Sequence, residues 1–405
     1  MTTKYKLFTQ YLDYYKRKNS LTKKDFRNII DYSNHDFYGI TLFVPTTPFV
    51  PQTSLDILAD VASKYELWQK ENEIEIESPV QPKTKVFIDS AIHTISDLIT
   101  IIEKYQVSDA VEYNIDVKML HRISGELREL DALVGLKSLK KNVLDQILYF
   151  SQGLAGPGEY KHMVIYGSPG TGKTDIAKIL GRLYANMGIL GTGAASKSGS
   201  FRKATRSDLV AGYLGQTAIK TKTLVGESLG GALFIDEIYS LGDDSFSKEC
   251  ADTLCELLSD HKDNLIVIVA GYQNEVNDRF FRLNAGLESR FTWRFTIDDY
   301  TSAELWKMFK NKISAIGWTH NIQDGTGEDW FKRKYADFPA FGRDIEALIF
   351  KVKIAHSRRV YGKTEQTDLK TILVADLDAG FLQFKESMKS STVYSEKKFV
   401  SSMFL

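Results

Sequence analysis

Cysteine is nearly absent: Cys250 and Cys255 are the only two among 405 residues. They stand five apart in a run with helical spacing. That is about 140° around a helix, a poor arrangement for a bridge. A disulfide scaffold is excluded, and buried free thiols of a reducing compartment are expected. An excess of one charge is missing as well. Lys+Arg and Asp+Glu both number 52, so the formal net charge is zero. A duplex-binding surface usually leaves a basic excess or stripe, so nucleic-acid readings are weakened, with a local patch still open. No stretch approaches the ~18 uninterrupted apolar residues of a membrane span. The start, MTTKYKLFTQYLDYYKRKN, lacks the apolar run of a signal peptide. A soluble protein of the cytoplasm or a similar reducing compartment is therefore expected. The seven histidines are scattered, and nothing is spaced like a zinc site.

Proline is scarce too, and five of the eight fall before residue 85. VPTTPFVPQ (Val44 to Gln52) and ESPVQPKTK (Glu77 to Lys85) read as extended connectors. KENEIEIES between them alternates charge and isoleucine, as a short edge strand does. From Val86 the pattern turns helical, with Ile88, Ile92, Ile95, Leu98, Ile99 and Ile102 on one spacing. A second amphipathic run carries Val117, Leu120, Ile123, Leu127 and Leu130. The expectation is a separate, mostly helical N-terminal region over residues 1–115, acting as an adaptor that selects substrate.

Over 116–300 the rhythm is strand, helix, strand. HMVIYG, GALFIDE, NLIVIVAG and FTWRFTI are short apolar runs with helical patterns between them. The middle two are nearly uninterrupted, as strands buried on both faces of a parallel sheet must be. This predicts a doubly wound α/β domain, a parallel sheet flanked by helices. Over 301–388 the periodicity is helical, which predicts a small α-helical C-terminal domain. GILGTGAASKSGS (Gly188 to Ser200) reads as a flexible surface loop. Residues 389–405 have no clear period and are a tail or a docking peptide.

GSPGTGKT (Gly167 to Thr174) fits G-x-x-x-x-G-K-[ST] at every fixed position, after an apolar strand and before a helical run. In such a loop Ser168, Pro169, Gly170, Thr171 and Gly172 wrap the backbone around phosphates, each but the proline offering an N–H. Lys173 places a charge on the β- and γ-phosphates, and Thr174 offers a hydroxyl to Mg2+. The helix that opens through Asp175 favours negative charge at its N-terminus. ALFIDE ends a buried strand with two carboxylates. Asp236 is placed to hold the Mg2+ shell through water, and Glu237 to orient and deprotonate the attacking water. The pair argues for hydrolysis rather than mere nucleotide binding.

Together these motifs resemble those of an AAA+ ATPase. Within that family they resemble the group of CbbX-type rubisco activases, stage V sporulation protein K and EccA-like type VII secretion ATPases. The residues that carry the resemblance are DALVGLKSLKKNV, HMVIYGSPGTGKT, DLVAGYLGQTAIKT, GGALFIDEIYSL, IVIVAGYQNEV, NAGLESRF, FTIDDYTSAEL and FGRDIEAL, over roughly residues 131–385. The resemblance implies an AAA+ P-loop domain with a small helical lid. It puts Val134 and Gly135 at the start of the adenine pocket, against an ordinary hydrophobic helix start. It puts Tyr272 or Asn274 at the sensor-1 position. Arg290 matches the arginine finger, with Arg282 as a second candidate. Arg343 matches the sensor-2 arginine, against a surface salt bridge to Asp344 or Glu346.

DLVAGYLGQT (Asp208 to Thr217) poses a separate question. Glycines on both sides mark a turn, yet its tip carries Tyr213 and Leu214. Taken alone, the stretch suits a loop that tucks its tyrosine into the core. The resemblance implies instead an aromatic loop facing the pore of a ring. The expected assembly is a homo-oligomer of six, with ATP between neighbours and a protein substrate remodelled or threaded through the pore. Two other readings stay open: a nucleic-acid motor or loader using Lys197, Arg202, Lys203 and Arg206, and an ATP-gated scaffold that does not thread.

Overall fold

The four apolar runs become four strands of a five-stranded parallel sheet, three in its middle and FTWRFTI at one edge. A computed structural model describes residues 83–156, 158–190, 201–213, 215–362 and 369–402, with side chains to residue 389. The strands are β1 (Met163–Tyr166), β2 (Phe201–Ala204), β3 (Ala232–Ile235), β4 (Ile266–Gly271) and β5 (Trp293–Thr296). Their order is β2-β3-β4-β1-β5, all pairs parallel. Every residue of β1, β3 and β4 is buried. Side chains alternate between two cores. Met163 and Ile165 point to one, with the helices Lys137–Ser151 and Lys173–Asn186; Val164 and Tyr166 point to the other, with Gln216–Gly226 and Ser245–Asp260. The expected α/β class is met. Cys250 and Cys255 lie in the helix Ser245–Asp260 as buried free thiols, and burial pushes the Cys250 thiol up to about 11.

β2 is the strand that periodicity does not reveal. Its residues read FRKA, with Arg202 and Lys203 exposed. It is an edge strand, and charged side chains on an edge keep it from pairing with other chains.

After β5 the chain forms a helical C-terminal region. Thr301 and Glu304 make a capping box for the helix Ser302–Ala315. The helices Asp324–Arg333 and Phe341–Val360 follow. Trp306, Phe309, Phe331, Phe338 and Phe384 are buried among them. The last helix, Val374–Ser402, carries regular backbone through most of the stretch expected to be an aperiodic tail.

The chain divides into units of residues 1–84 and 85–405. Nearly all of the first, with both proline connectors' upstream parts and KENEIEIES, lies outside the described residues; so do residues 191–200 of the glycine-rich loop. The boundary expected near residue 115 falls inside the second unit. The helix Ile95–Lys104 buries Ile95, Leu98, Ile101 and Ile102 in the same core as Leu144 and Leu183. Arg122 donates to the carbonyl of Met187 at 3.1 Å, and Asn186 to the carboxylate of Glu126 at 3.1 Å. The helical period read from residue 88 becomes helix only at Ile95: Thr84–Val86 is a short strand and residues 87–94 carry no helix. A period also gives the buried face and not what covers it.

Candidate functional site

The loop that leaves β1 turns into the helix Lys173–Asn186. The Gly167 N–H donates to the carbonyl of Gly271 at 3.3 Å, which ties the loop's start to the end of β4. Gly170 has φ 70°, and a Cβ there would lie 1.9 Å from the carbonyl oxygen of Ala340. The Gly342 N–H donates to the Gly170 carbonyl at 3.1 Å. The helical C-terminal region thus touches the Gly167–Thr174 loop through backbone. Within the loop, Thr171 Oγ1 donates to the Ser168 carbonyl at 2.8 Å, and the Tyr300 hydroxyl donates to the Thr171 carbonyl at 3.0 Å. Pro169 is half-buried, and Gly172 is exposed with φ 87°. Lys173 Nζ donates to the Gly167 and Ser168 carbonyls, both at 2.8 Å, and lies 5.2 Å from the Tyr272 ring centre. Burial holds its pKa below the usual lysine range, opposed by Asp236 and reinforced by Arg343. Asp175, exposed in the first turn, pairs with Lys178 at 3.4 Å.

Thr174 Oγ1 donates to Asp236 Oδ2 at 3.0 Å across 62 residues of chain. The two sequence motifs therefore meet in one place. Glu237, next along, is exposed and adopts φ 50°, ψ 46°. Left-handed backbone at a non-glycine residue costs about 1–3 kcal/mol and persists where the surroundings impose it, often at functional sites. The Tyr239 ring stacks on Tyr272 with centres 5.4 Å apart and planes 24° from parallel. Burial and the nearby Glu237 push the Tyr239 phenol up to about 12. Tyr272 therefore sits against Lys173, while Asn274 is exposed.

Val134 is buried, and Gly135 (φ 69°) precedes Leu136, also left-handed at φ 59°. A Cβ on Gly135 would meet Tyr300 Cδ1 at 3.3 Å. Tyr300 so joins this turn to the phosphate loop. Arg343 opens the helix Phe341–Val360, its Cβ 3.2 Å from the position of a Gly170 Cβ. The acids that would tie it down as a surface salt bridge are engaged elsewhere. Asp344 accepts from the Ala340 N–H at 2.6 Å, and Glu346 from Lys312 at 2.6 Å.

Arg290 is half-buried and folded back on its own domain. Its Nε donates to Ser259 Oγ at 2.8 Å and its Nη1 to the Gly286 carbonyl at 2.7 Å, with the guanidinium over the Tyr160 ring. Arg282 is exposed. Tyr213 is 73% exposed, on a turn closed by Gly215 at φ 79°. The tucked-in tyrosine is therefore excluded. Leu214 lies outside the described residues, as does Lys197. The other cations near this turn are paired: Arg202 with Glu227, Lys203 with Asp236 at 2.8 Å, and Arg206 with Asp244 at 2.8 Å.

The sequence model of the ATPase family associated with various cellular activities (AAA) matches residues 163–298. A cfxQ-like protein of Acanthamoeba polyphaga mimivirus is 35% identical over 285 residues, 69% of this chain and 69% of that one. This chain belongs to the AAA family of ATPases. Stage V sporulation protein K of Bacillus subtilis is 39% identical over 204 residues, 48% of this chain and 61% of that protein. The ESX-1 secretion system protein EccA1 of Mycobacterium tuberculosis is 36% identical over 200 residues, and this AAA ATPase spans only 34% of its length. The resemblance to that group is borne out. Among the described residues of this AAA ATPase, no helix is long and apolar enough to cross a membrane.

Tyr239, Tyr300, Ala340 and Gly342 of the candidate site carry no role in the sequence pattern. Tyr239 and Tyr300 stood inside quoted motifs without a role. Ala340 and Gly342 reach the phosphate loop by backbone alone, which leaves no side-chain pattern. Lys203 was read as a possible phosphate contact, whereas it sits on Asp236.

Proposed function

We propose that this ATPase assembles as a ring, of six subunits, and uses ATP to remodel or thread a protein substrate through its pore. The observation that carries the reading is an exposed tyrosine on a glycine-flanked turn, in a chain whose phosphate loop and acidic strand end meet at Thr174 and Asp236. Lys173 leaves its two loop carbonyls to meet the β- and γ-phosphates, and Arg343 and the Val134–Gly135 turn complete the nucleotide cradle. Thr174 Oγ1 and Asp236 Oδ2 form an all-oxygen pair that suits a hard divalent cation. They would hold Mg2+, which supplies neutralisation of phosphate charge. Glu237 takes a proton from the water that attacks the γ-phosphate. The pairing of Arg202, Lys203 and Arg206 with carboxylates weighs against a nucleic-acid groove.

In this reading Arg290 acts on the neighbour's ATP. It must first leave Ser259 and Gly286. Arg290→Ala is expected to slow steady-state hydrolysis by about 10³–10⁵-fold. Mixing it with Lys173→Ala subunits restores complete sites at some interfaces, so hydrolysis partly returns. An Arg290→Ala protein as active as the parent removes the finger from this residue and makes Arg282 the one to test.

Tyr213 grips the substrate by packing its ring against side chains of any sequence. Tyr213→Ala is expected to leave thermal melting and substrate-free hydrolysis near the parent's, while substrate stimulation is lost. A buried aromatic would cost about 3–5 kcal/mol on such truncation. A sharp drop in melting temperature together with loss of hydrolysis would refute the pore-loop role.

A further inference from the structure

Asp236 Oδ2 accepts two hydrogen bonds. One comes from Thr174 Oγ1 at 3.0 Å, and the other from Lys203 Nζ at 2.8 Å. Lys203 stands on the edge strand β2, in register with Phe234 of β3. A lysine on an edge strand ordinarily serves to blunt the edge, its ammonium in water. This one bends inward to the carboxylate that ends the neighbouring strand. It also lines an open cavity of about 650 Å³, with Thr205, Arg206, Asp236, Glu237 and Ser240 on its walls. Its side chain is 44% exposed, against 20% for Asp236. The ammonium therefore has both a partner at the strand end and space to leave it.

We propose that Lys203 is a resident cation that guards Asp236, occupying the carboxylate in the nucleotide-free protein and yielding it when a divalent cation arrives with ATP. The inference rests on the reading that Asp236 holds that cation. The physical argument is competition. A divalent cation entering at Asp236 meets an ammonium already hydrogen-bonded to the oxygen it needs, and two cations on one carboxylate repel. Alone, the divalent cation gains only that carboxylate and a hydroxyl, and must displace Lys203. Accompanied by nucleotide phosphates it gains several further anionic oxygens, which outweigh the displaced pair. The lysine stem is long and rotates freely, so the exchange needs no backbone change. Lys203 is a positioning residue in this scheme. It sets the order in which cation and nucleotide bind and touches neither the nucleotide nor the attacking water.

Mn2+ binding to the full chain, read by electron paramagnetic resonance without nucleotide, tests this directly. A partly exposed ion pair is worth about 0.2–1 kcal/mol, so Lys203→Met is expected to tighten Mn2+ binding by a factor of about 1.4 to 5. Lys203→Arg, which keeps the cation, is expected to match the parent, and Lys203→Gln to follow Lys203→Met. Equal Mn2+ affinity in the parent, Lys203→Met and Lys203→Gln overturns the proposal. Asp236→Asn in the Lys203→Met background separates the two readings. If it abolishes Mn2+ binding, Asp236 is the cation's ligand whatever Lys203 does. If Mn2+ still binds as tightly, the assignment of Asp236 fails, and the proposal for Lys203 with it. Thermal melting of each variant shows that the comparison is made between folded proteins.

Discussion

Glu237→Gln is expected to bind ATP as the parent does and to hydrolyse it about 10²–10⁴ times more slowly, the usual contribution of a positioned general base. The substitution keeps the side chain's size and leaves the phosphate loop alone. Lys173, Thr174 and Asp236 keep their contacts, because none of the hydrogen bonds between them runs through Glu237. Lys173→Ala has the opposite profile and loses binding itself. Its ammonium is the group that closes over the loop, and an alanine leaves the Gly167 and Ser168 carbonyls facing the incoming phosphates. Binding of a fluorescent ATP analogue and release of phosphate, measured on the same preparations, separate the two. Near-parental turnover by Glu237→Gln would take the role of base from this residue.

The second large effect concerns where the ATPase unit begins. We place its start at residue 85, and a chain beginning at Lys85 is expected to fold and hydrolyse ATP. A chain beginning at Asn114 is expected to fail. It lacks the helix Ile95–Lys104, with the buried side chains Ile95, Leu98, Ile101 and Ile102. Burying an aliphatic side chain of this size is worth about 1.5–3 kcal/mol. Four of them come to about 6–12 kcal/mol as an upper bound, as large as the stability of a whole domain, about 5–15 kcal/mol. The truncated chain also leaves Leu127, Leu130 and Leu144 without cover. Insolubility, or melting at least about 10 °C lower, is the expected result. A chain from Asn114 as stable as the one from Lys85 would move the boundary back to near residue 115.

These two expectations differ in how they could be read. The meeting of the Gly167–Thr174 loop with Asp236 was legible because the phosphate chemistry proposed for it demands fixed residue types at fixed spacing: glycines where φ is positive, a lysine, a hydroxyl and two carboxylates at a strand end. β1, β3 and β4 were legible because strands buried on both faces admit almost nothing polar. β2 was not, since an edge strand with two exposed side chains looks like a loop. The exposure of Tyr213 could not be read locally, because glycine turns serve buried and exposed tips alike. The partners of Arg290 were hidden for another reason. Ser259 and Gly286 are ordinary residues that meet a guanidinium only once the helix Ser245–Asp260 is packed.

The backbone bond between Gly170 and Gly342 has a mechanical meaning. It lies at the first turn of a helix of 20 residues, Phe341–Val360, next to Phe341 with its left-handed φ of 39°. Such a helix is about 30 Å long. A pivot of roughly 5° at its first turn moves the far end by about 2.6 Å, half a helical turn. The phosphate loop holds the short arm of a lever. Were the helix to pivot as a rigid body, a change of loop shape too slight to notice at Gly170 would be enlarged at the helix's C-terminal end, where Tyr361 stands almost wholly exposed.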